Sequence, residues 1–266
     1  MRRTKSQSRM NNSFRLHPDL TADIAACLGF FTRLPAGRFG LPEVKFADAL
    51  WAAPVAGAIV GLCGGAAFAF ALWLSLPPSL AALAALAIIL MVTGSLHEDG
   101  VADIADAFGG GHTRERKLEI LKDSRNGTFA VVALVMTLLA RWAAMATLVS
   151  SGFAVLALVA AHAASRALMP GFMAIVAPAR PTGLSAGIGM VPGNVAMVAA
   201  GLGILALLPL GFGTAFMALI CLAILFIAMK WLTENQIGGQ TGDVLGALQQ
   251  GGEIVVLFVI AARYSL

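Results

Sequence analysis

Seven runs of roughly 20 mostly apolar residues dominate this chain, at 51–76, 79–96, 128–150, 153–177, 195–210, 214–232 and 244–262. A helix needs about 20 such residues to cross a hydrocarbon core about 30 Å thick. Lipid offers no hydrogen-bond partners, so each crossing segment must satisfy its own backbone, which a single segment does only as a helix. The expectation is an all-α, polytopic transmembrane bundle of seven spans. Charged residues make up 12% of the chain, about half the share of a soluble domain, which excludes a water-soluble globular fold. Pro77-Pro78, Ser151-Gly152 and Gly211-Phe212-Gly213 separate neighbouring runs as tight turns. Cys27, Cys63 and Cys221 are scattered without a CxxC pair and read as small buried hydrophobes.

Charge placement sets the orientation. Eight of the 18 Lys and Arg precede residue 50, five more are Arg114, Arg116, Lys117, Lys122 and Arg125, and the tight turns carry none. The positive-inside rule then puts the N-terminus, both longer loops and residues 233–243 in the cytoplasm. An odd span count leaves the C-terminus on the far side. Of the 14 acids, only Glu253 falls away from the cytoplasmic face. The net charge of +4 thus reflects topology and implies no nucleic-acid partner. The polar, basic start lacks a signal-peptide pattern, and residues 14–31 read as an amphipathic helix lying on the membrane surface. Two parts result: a cytoplasmic and interfacial segment, 1–50, and a single transmembrane domain, 51–266, that carries the chemistry. Gly57, Gly61, Gly64 and Gly65 mark a face for close helix packing.

The densest polar chemistry is the stretch from His97 to Asp106, at the cytoplasmic end of the second run. Helical geometry turns each residue by about 100°, so Asp99, Asp103 and Asp106 share one face and Glu98 points elsewhere. Stacked like charges repel even in water, and more so near a low-dielectric boundary unless a cation sits among them. Hard carboxylates without Cys or His on that face suit Mg²⁺ or Mn²⁺ rather than zinc. Lys122-Asp123-Ser124-Arg125-Asn126-Gly127-Thr128 offers two cations and small donors beside a helix start. That pattern fits a phosphate cradle, and it equally fits a basic flank of a span. Gly238-Gly239-Gln240-Thr241-Gly242-Asp243 permits close backbone approach to a ligand or is a flexible turn ending in an N-cap. Arg141, Arg166 and Glu253 lie within spans, where an ionisable group needs a cavity or a partner. Arg166 is the first candidate to pair with Glu253.

On these residues the chain resembles the adenosylcobinamide-GDP ribazoletransferase family, also called cobalamin-5′-phosphate synthase. The resemblance runs from Phe30-Phe31-Thr32-Arg33-Leu34-Pro35 through the acidic helix, the Lys122–Thr128 stretch, Ser165-Arg166 and Arg180-x-x-Gly183-Leu184, to the Gly238–Asp243 motif and Glu253. Val101, Ala107, Ala130 and Gln250 stand where that pattern usually has Leu, Gly, Gly and Glu. The resemblance implies a membrane-embedded, Mg²⁺-dependent transferase of the bacterial inner membrane, with its active site facing the cytoplasm. It would join adenosylcobinamide-GDP to α-ribazole or its 5′-phosphate and release GMP. It also implies site roles. Asp99, Asp103, Asp106 and Asp243 would hold the metal. Lys122 and Arg125 would clamp phosphate, with Arg33, Asp123, Ser124, Arg166, Arg180, Gly239, Gln240 and Thr241 around the substrates. Membrane lipid surrounds such a protein, and a homo-oligomer or a cobalamin-assembly complex stays open. Two rival readings stand beside it, the second from another class. A CDP-alcohol phosphotransferase would need a second acid pair that is absent at the required spacing. An ion-coupled transporter would carry polar residues deep in several spans and show repeated halves.

Overall fold

The computed structural model describes residues 20–36, 44–123 and 125–264. Twelve α-helices form among them: α1 (Leu20–Phe31), α2 (Phe46–Ala49), α3 (Ala53–Trp73), α4 (Pro78–Thr93), α5 (Leu96–Gly110), α6 (Arg114–Ile120), α7 (Thr128–Ala146), α8 (Ser151–Ile175), α9 (Leu184–Ile188), α10 (Gly193–Leu207), α11 (Phe212–Ile237) and α12 (Gly242–Tyr264). The only β-type pairing among the described residues is an isolated bridge between Pro178 and Gln240. The all-α expectation is therefore met.

Six helical stretches are long and apolar enough to cross a membrane: Phe46–Trp73, Thr128–Ala146, Ser151–Ile175, Gly193–Leu210, Phe212–Ile237 and Gly242–Tyr264. A seventh comes only from α4 taken together with α5 as one bent span, and the structure departs here from the sequence boundary at α4. That helix has 16 residues, about 24 Å of helix, and the chain then turns by 89° into α5. Gly94 and Ser95 make the turn in the left-handed region, at φ 63° and 56°. The acidic stretch is thus a separate arm that leaves the line of the span. Arg33 secures the corner: its N–H donates to the Val92 carbonyl at 2.7 Å. A Cβ at Gly94 would come within 2.3 Å of the Arg33 Nε and displace that side chain, and the left-handed φ itself favours glycine there.

Loops predicted to share the cytoplasmic face meet at one end of the bundle. Arg114 Nη2 donates to the Ala179 carbonyl at 3.2 Å, Lys117 bonds Gln236, and Pro178 bridges Gln240. Phe31 stacks on His97 at the same end, with ring centroids 5.9 Å apart. The 12 residues of α1 are too few to cross, and its buried Asp23 accepts from Trp51 Nε1 at 2.8 Å. Residues 14–19 of the expected surface helix lie outside the described residues. At the centre, α8 packs against α3, α10 and α12. Gly57 and Gly61 of α3 lie directly on α8: a Cβ would meet the His162 carbonyl oxygen at 2.2 Å and that of Leu158 at 2.4 Å.

A charged network is sealed inside this bundle. Arg141 of α7, with 0% exposure, donates to Glu98 Oε1 of α5 at 2.6 Å and to Glu253 Oε1 of α12 at 2.7 Å. Gln250 Nε2 donates to Glu98 Oε1 at 2.9 Å, and Gln249 Nε2 joins Ser165 to Glu253. This overturns the expected pairing of Glu253 with Arg166. Arg166 instead donates to His162 Nδ1 at 3.0 Å. Both cations are intramembrane, and the rotation of α7 brings Arg141 to the acids first. Gln250 suits this setting, because a neutral amide can donate to Glu98 where a Glu would add a like charge.

Candidate active site

The arm α5 is amphipathic. His97, Glu98, Gly100, Ala102, Ile104 and Ala107 are buried, whereas Asp99 is exposed and Asp103 and Asp106 are partly so. Glu98 thus points away from the aspartate face, as its helical angle requires, and it points into the charged network. Gly100 lets α5 touch the start of α12: a Cβ there would lie 2.7 Å from the Asp243 carbonyl oxygen and 3.1 Å from its Cα. Asp243 is therefore held against the acidic arm, although 140 residues separate it from Asp103 in sequence. The consequence is electrostatic. Burial, then the charges of Asp243, Asp99 and Asp106, push the Asp103 carboxyl up to about 7.

Asp106 has a different position from the other acids. Its Oδ2 accepts from the Gly127 N–H and its Oδ1 from the Ala130 N–H at 2.9 Å. Free N–H groups at a helix start favour an acceptor, and here a remote carboxylate supplies it for α7. Gly127 is needed for the approach, because a Cβ would stand 2.8 Å from Asp106 Oδ1. Lys122, Asp123 and Arg125 lie exposed on the loop that follows α6. Arg125, with 87% of its side chain exposed, pairs with Asp123 at 2.6 Å, and that hydrogen bonding holds the Asp123 carboxyl down at about 2. Of the two cradle cations, Arg125 is thus engaged by Asp123 rather than by the acids of α5. Ser124 lies outside the described residues.

The glycine motif also takes a specific position. Gly238 ends α11 in the left-handed region at φ 76°. At Gly239 a Cβ would meet the Ala177 carbonyl oxygen at 2.3 Å, so the close approach that glycine permits is to the chain itself. Gln240 exchanges backbone hydrogen bonds with Ala177 and Ala179, and Gln240 and Thr241 are only 1% and 2% exposed. Thr241 Oγ1 donates to Asp243 Oδ2 at 3.0 Å and accepts from the Val244 N–H. These residues fix Asp243 and the segment bearing Arg180. Arg166 is 1% exposed, sealed in the core behind His97.

Two cavities flank the first turn of α5. One, of about 230 Å³, is bounded by Phe30, Phe46, His97, Met173, Arg180 and Asp243 among others. The second, of about 520 Å³, is more open, and Arg33, Ser95, Glu98 and Asn126 contribute to its wall. Asp99 lines both. Sequence reasoning passed over Asn126, which is an unmarked position within its motif. It also passed over Ser185, which nothing in a five-residue helix distinguishes. Among the described residues, no three His, Cys, Asp or Glu side chains converge on a ready-made metal site.

Comparison with known proteins bears on this arrangement. The family model for cobalamin-5-phosphate synthase matches residues 23–261. A protein of Mesorhizobium japonicum named adenosylcobinamide-GDP ribazoletransferase is 51% identical over 248 residues, covering 91% of this chain and 94% of that protein. A Bradyrhizobium diazoefficiens protein of the same name is 49% identical, covering 92% and 95%. One from Azorhizobium caulinodans is 42% identical, covering 91% and 96%. No solved structure matches the chain.

Proposed function

This chain belongs to the cobalamin-5-phosphate synthase family, enzymes of cobalamin biosynthesis, and on that premise we propose that it joins adenosylcobinamide-GDP to α-ribazole or its 5′-phosphate and releases GMP. The observation that carries this reading is Asp99, exposed at the junction of two cavities and backed by Asp103 and Asp243. A transfer between two substrates needs one polar point that both can reach. There a ribose hydroxyl of the acceptor attacks the phosphorus that bears cobinamide. A new P–O bond forms, the P–O bond to GMP breaks, and the hydroxyl proton passes to a carboxylate. Arg33 and Asn126, on the wall of the larger cavity, are placed to meet phosphate oxygens. Arg125 would have to exchange Asp123 for a phosphate to join them.

The donor set fits Mg²⁺. This ion takes one or two carboxylates and completes its octahedron with water and substrate phosphates, so an open group of acids is the expected form. Burial and the repulsion of the neighbouring acids keep a proton on Asp103 near neutral pH, and the repulsion is the part a cation would relieve. Asp99, Asp103 and Asp243 would hold the ion, whose contribution is to neutralise the diphosphate as GMP departs. Asp106, turned to the start of α7, would act mainly by holding that helix to the arm.

The pH dependence follows from Asp103. Its folded value of about 7 exceeds the ordinary 3.8, so without a cation stability falls as pH rises between those values. A cation must displace that proton. Added Mg²⁺ should therefore raise the melting temperature more at pH 8 than at pH 6, and EDTA should abolish turnover that Mg²⁺ restores. Equal Mg²⁺ stabilisation at both pH values would refute the carboxylate site, and absence of GMP release with Mg²⁺ would refute the reaction. The site is read as cytoplasmic, in a bacterial inner membrane, from the Lys and Arg bias. A C-terminal fusion should then be active only as a periplasmic reporter, and cytoplasmic activity would reverse the assignment.

A further inference from the structure

We infer that the smaller cavity is the seat of the transferred riboside, with its flat bicyclic aromatic base held by Phe30, Phe46 and Met173 and its ribose directed to Asp99. This inference rests on the reaction proposed above. Size is the first discriminator. Drug-sized ligands occupy pockets of about 300–1,000 Å³, and 230 Å³ admits a compact nucleoside but not a corrin macrocycle carrying adenosyl and GDP groups. The corrinoid must come from the other side of α5, where the 520 Å³ cavity opens between α4, α5 and α7.

The lining provides the second discriminator. One end of the smaller cavity is aromatic and thioether: Phe30 and Phe46 have centroids 4.7 Å apart, and Met169 and Met173 lie on the wall. Aromatic rings and polarisable sulfur suit a planar aromatic base. The other end is polar and incomplete. His97 is 2% exposed, and its Nε2 has no hydrogen-bond partner among the described residues. Buried Arg180 Nη1 is likewise without one. A buried polar atom left unpaired is costly, and a ligand bearing ring nitrogen, hydroxyl or phosphate oxygen would satisfy both. An apolar lipid tail would satisfy neither.

The test is binding of α-ribazole itself to the detergent-purified full chain, followed by its intrinsic fluorescence without the corrinoid substrate, alongside steady-state KM for each substrate. Phe46→Ala, on a partly exposed ring, should weaken α-ribazole binding and raise its KM by about threefold to tenfold, the range that aromatic stacking gives. The KM for adenosylcobinamide-GDP should stay within about twofold. Ile188→Trp, which fills the cavity from α9, should abolish α-ribazole binding without lowering the melting temperature, so a folding defect in the first variant leaves the second decisive. A rise confined to the corrinoid KM, or unchanged α-ribazole binding in Ile188→Trp, overturns the assignment while the reaction stands. A wild-type chain that binds α-ribazole but releases no GMP would instead refute the reaction and keep the pocket.

Discussion

Asp99→Asn is expected to lower turnover by about a thousandfold with little change in melting temperature. The substitution keeps shape and removes one negative charge from the only carboxylate that lines both cavities among the described residues. A positioned proton acceptor contributes roughly 10²–10⁴-fold, and charge stabilisation of a departing phosphate is of similar size. Because the Asp99 side chain is exposed and makes no hydrogen bond among the described residues, its loss should not unfold the chain. Asp106→Asn should behave in the opposite way. Its two oxygens accept backbone N–H groups of Gly127 and Ala130, and an amide can serve only one of them as acceptor. The expected cost is about 1 kcal/mol of stability, with a smaller loss of turnover. Kinetics and thermal melts on both variants decide the matter. If Asp106→Asn were the more damaging to turnover at unchanged melting temperature, the division between a catalytic Asp99 and a tethering Asp106 would be wrong.

Arg141→Met is expected to destabilise the protein by roughly 3–5 kcal/mol, the range for breaking a buried ion pair by removing one partner. Arg141 bonds Glu98 and Glu253 at 2.6 and 2.7 Å with no exposure to solvent. Without it, two carboxylates remain in the bundle interior with amides, His162 and, beyond contact distance, Arg166 as their neighbours. The loss should be read in melting temperature and in recovery of monodisperse protein from the membrane. Adding Glu98→Gln and Glu253→Gln to Arg141→Met should recover part of that stability, since no unpaired buried carboxylate remains, while Arg166 loses the two acids nearest to it. A single variant as stable as the parent would show that this network does not hold the bundle. Glu98→Gln alone should also be harmful, contrary to what its place off the aspartate face suggests. Glu98 is the anchor that fixes α5 to α7 and α12, and thereby the rotation that presents Asp99 and Asp103.

The two predictions divide along the same line as the sequence and the tertiary structure. Hydropathy fixes the crossing segments, because lipid imposes helix on any 20-residue apolar run regardless of its neighbours. The Lys and Arg bias is equally local. So is the common face of Asp99, Asp103 and Asp106, which follows from the helical repeat alone. Packing decided what periodicity cannot carry. The α4 helix ends at Thr93 because Gly94 and Ser95 turn under Arg33. The Gly238–Thr241 motif, which the sequence offered as a ligand loop, packs on Ala177 and Ala179 instead. Glu253 meets Arg141 rather than Arg166, although both cations lie at span depth, because partner choice depends on how each helix is rotated about its axis. Asp106 and Gly127 sit in separate motifs, and only the fold reveals them as a cap and its helix. Gly100 and Asp243 touch across two distant helices for the same reason: a sequence records which face of a helix is polar, and close packing alone determines what that face meets.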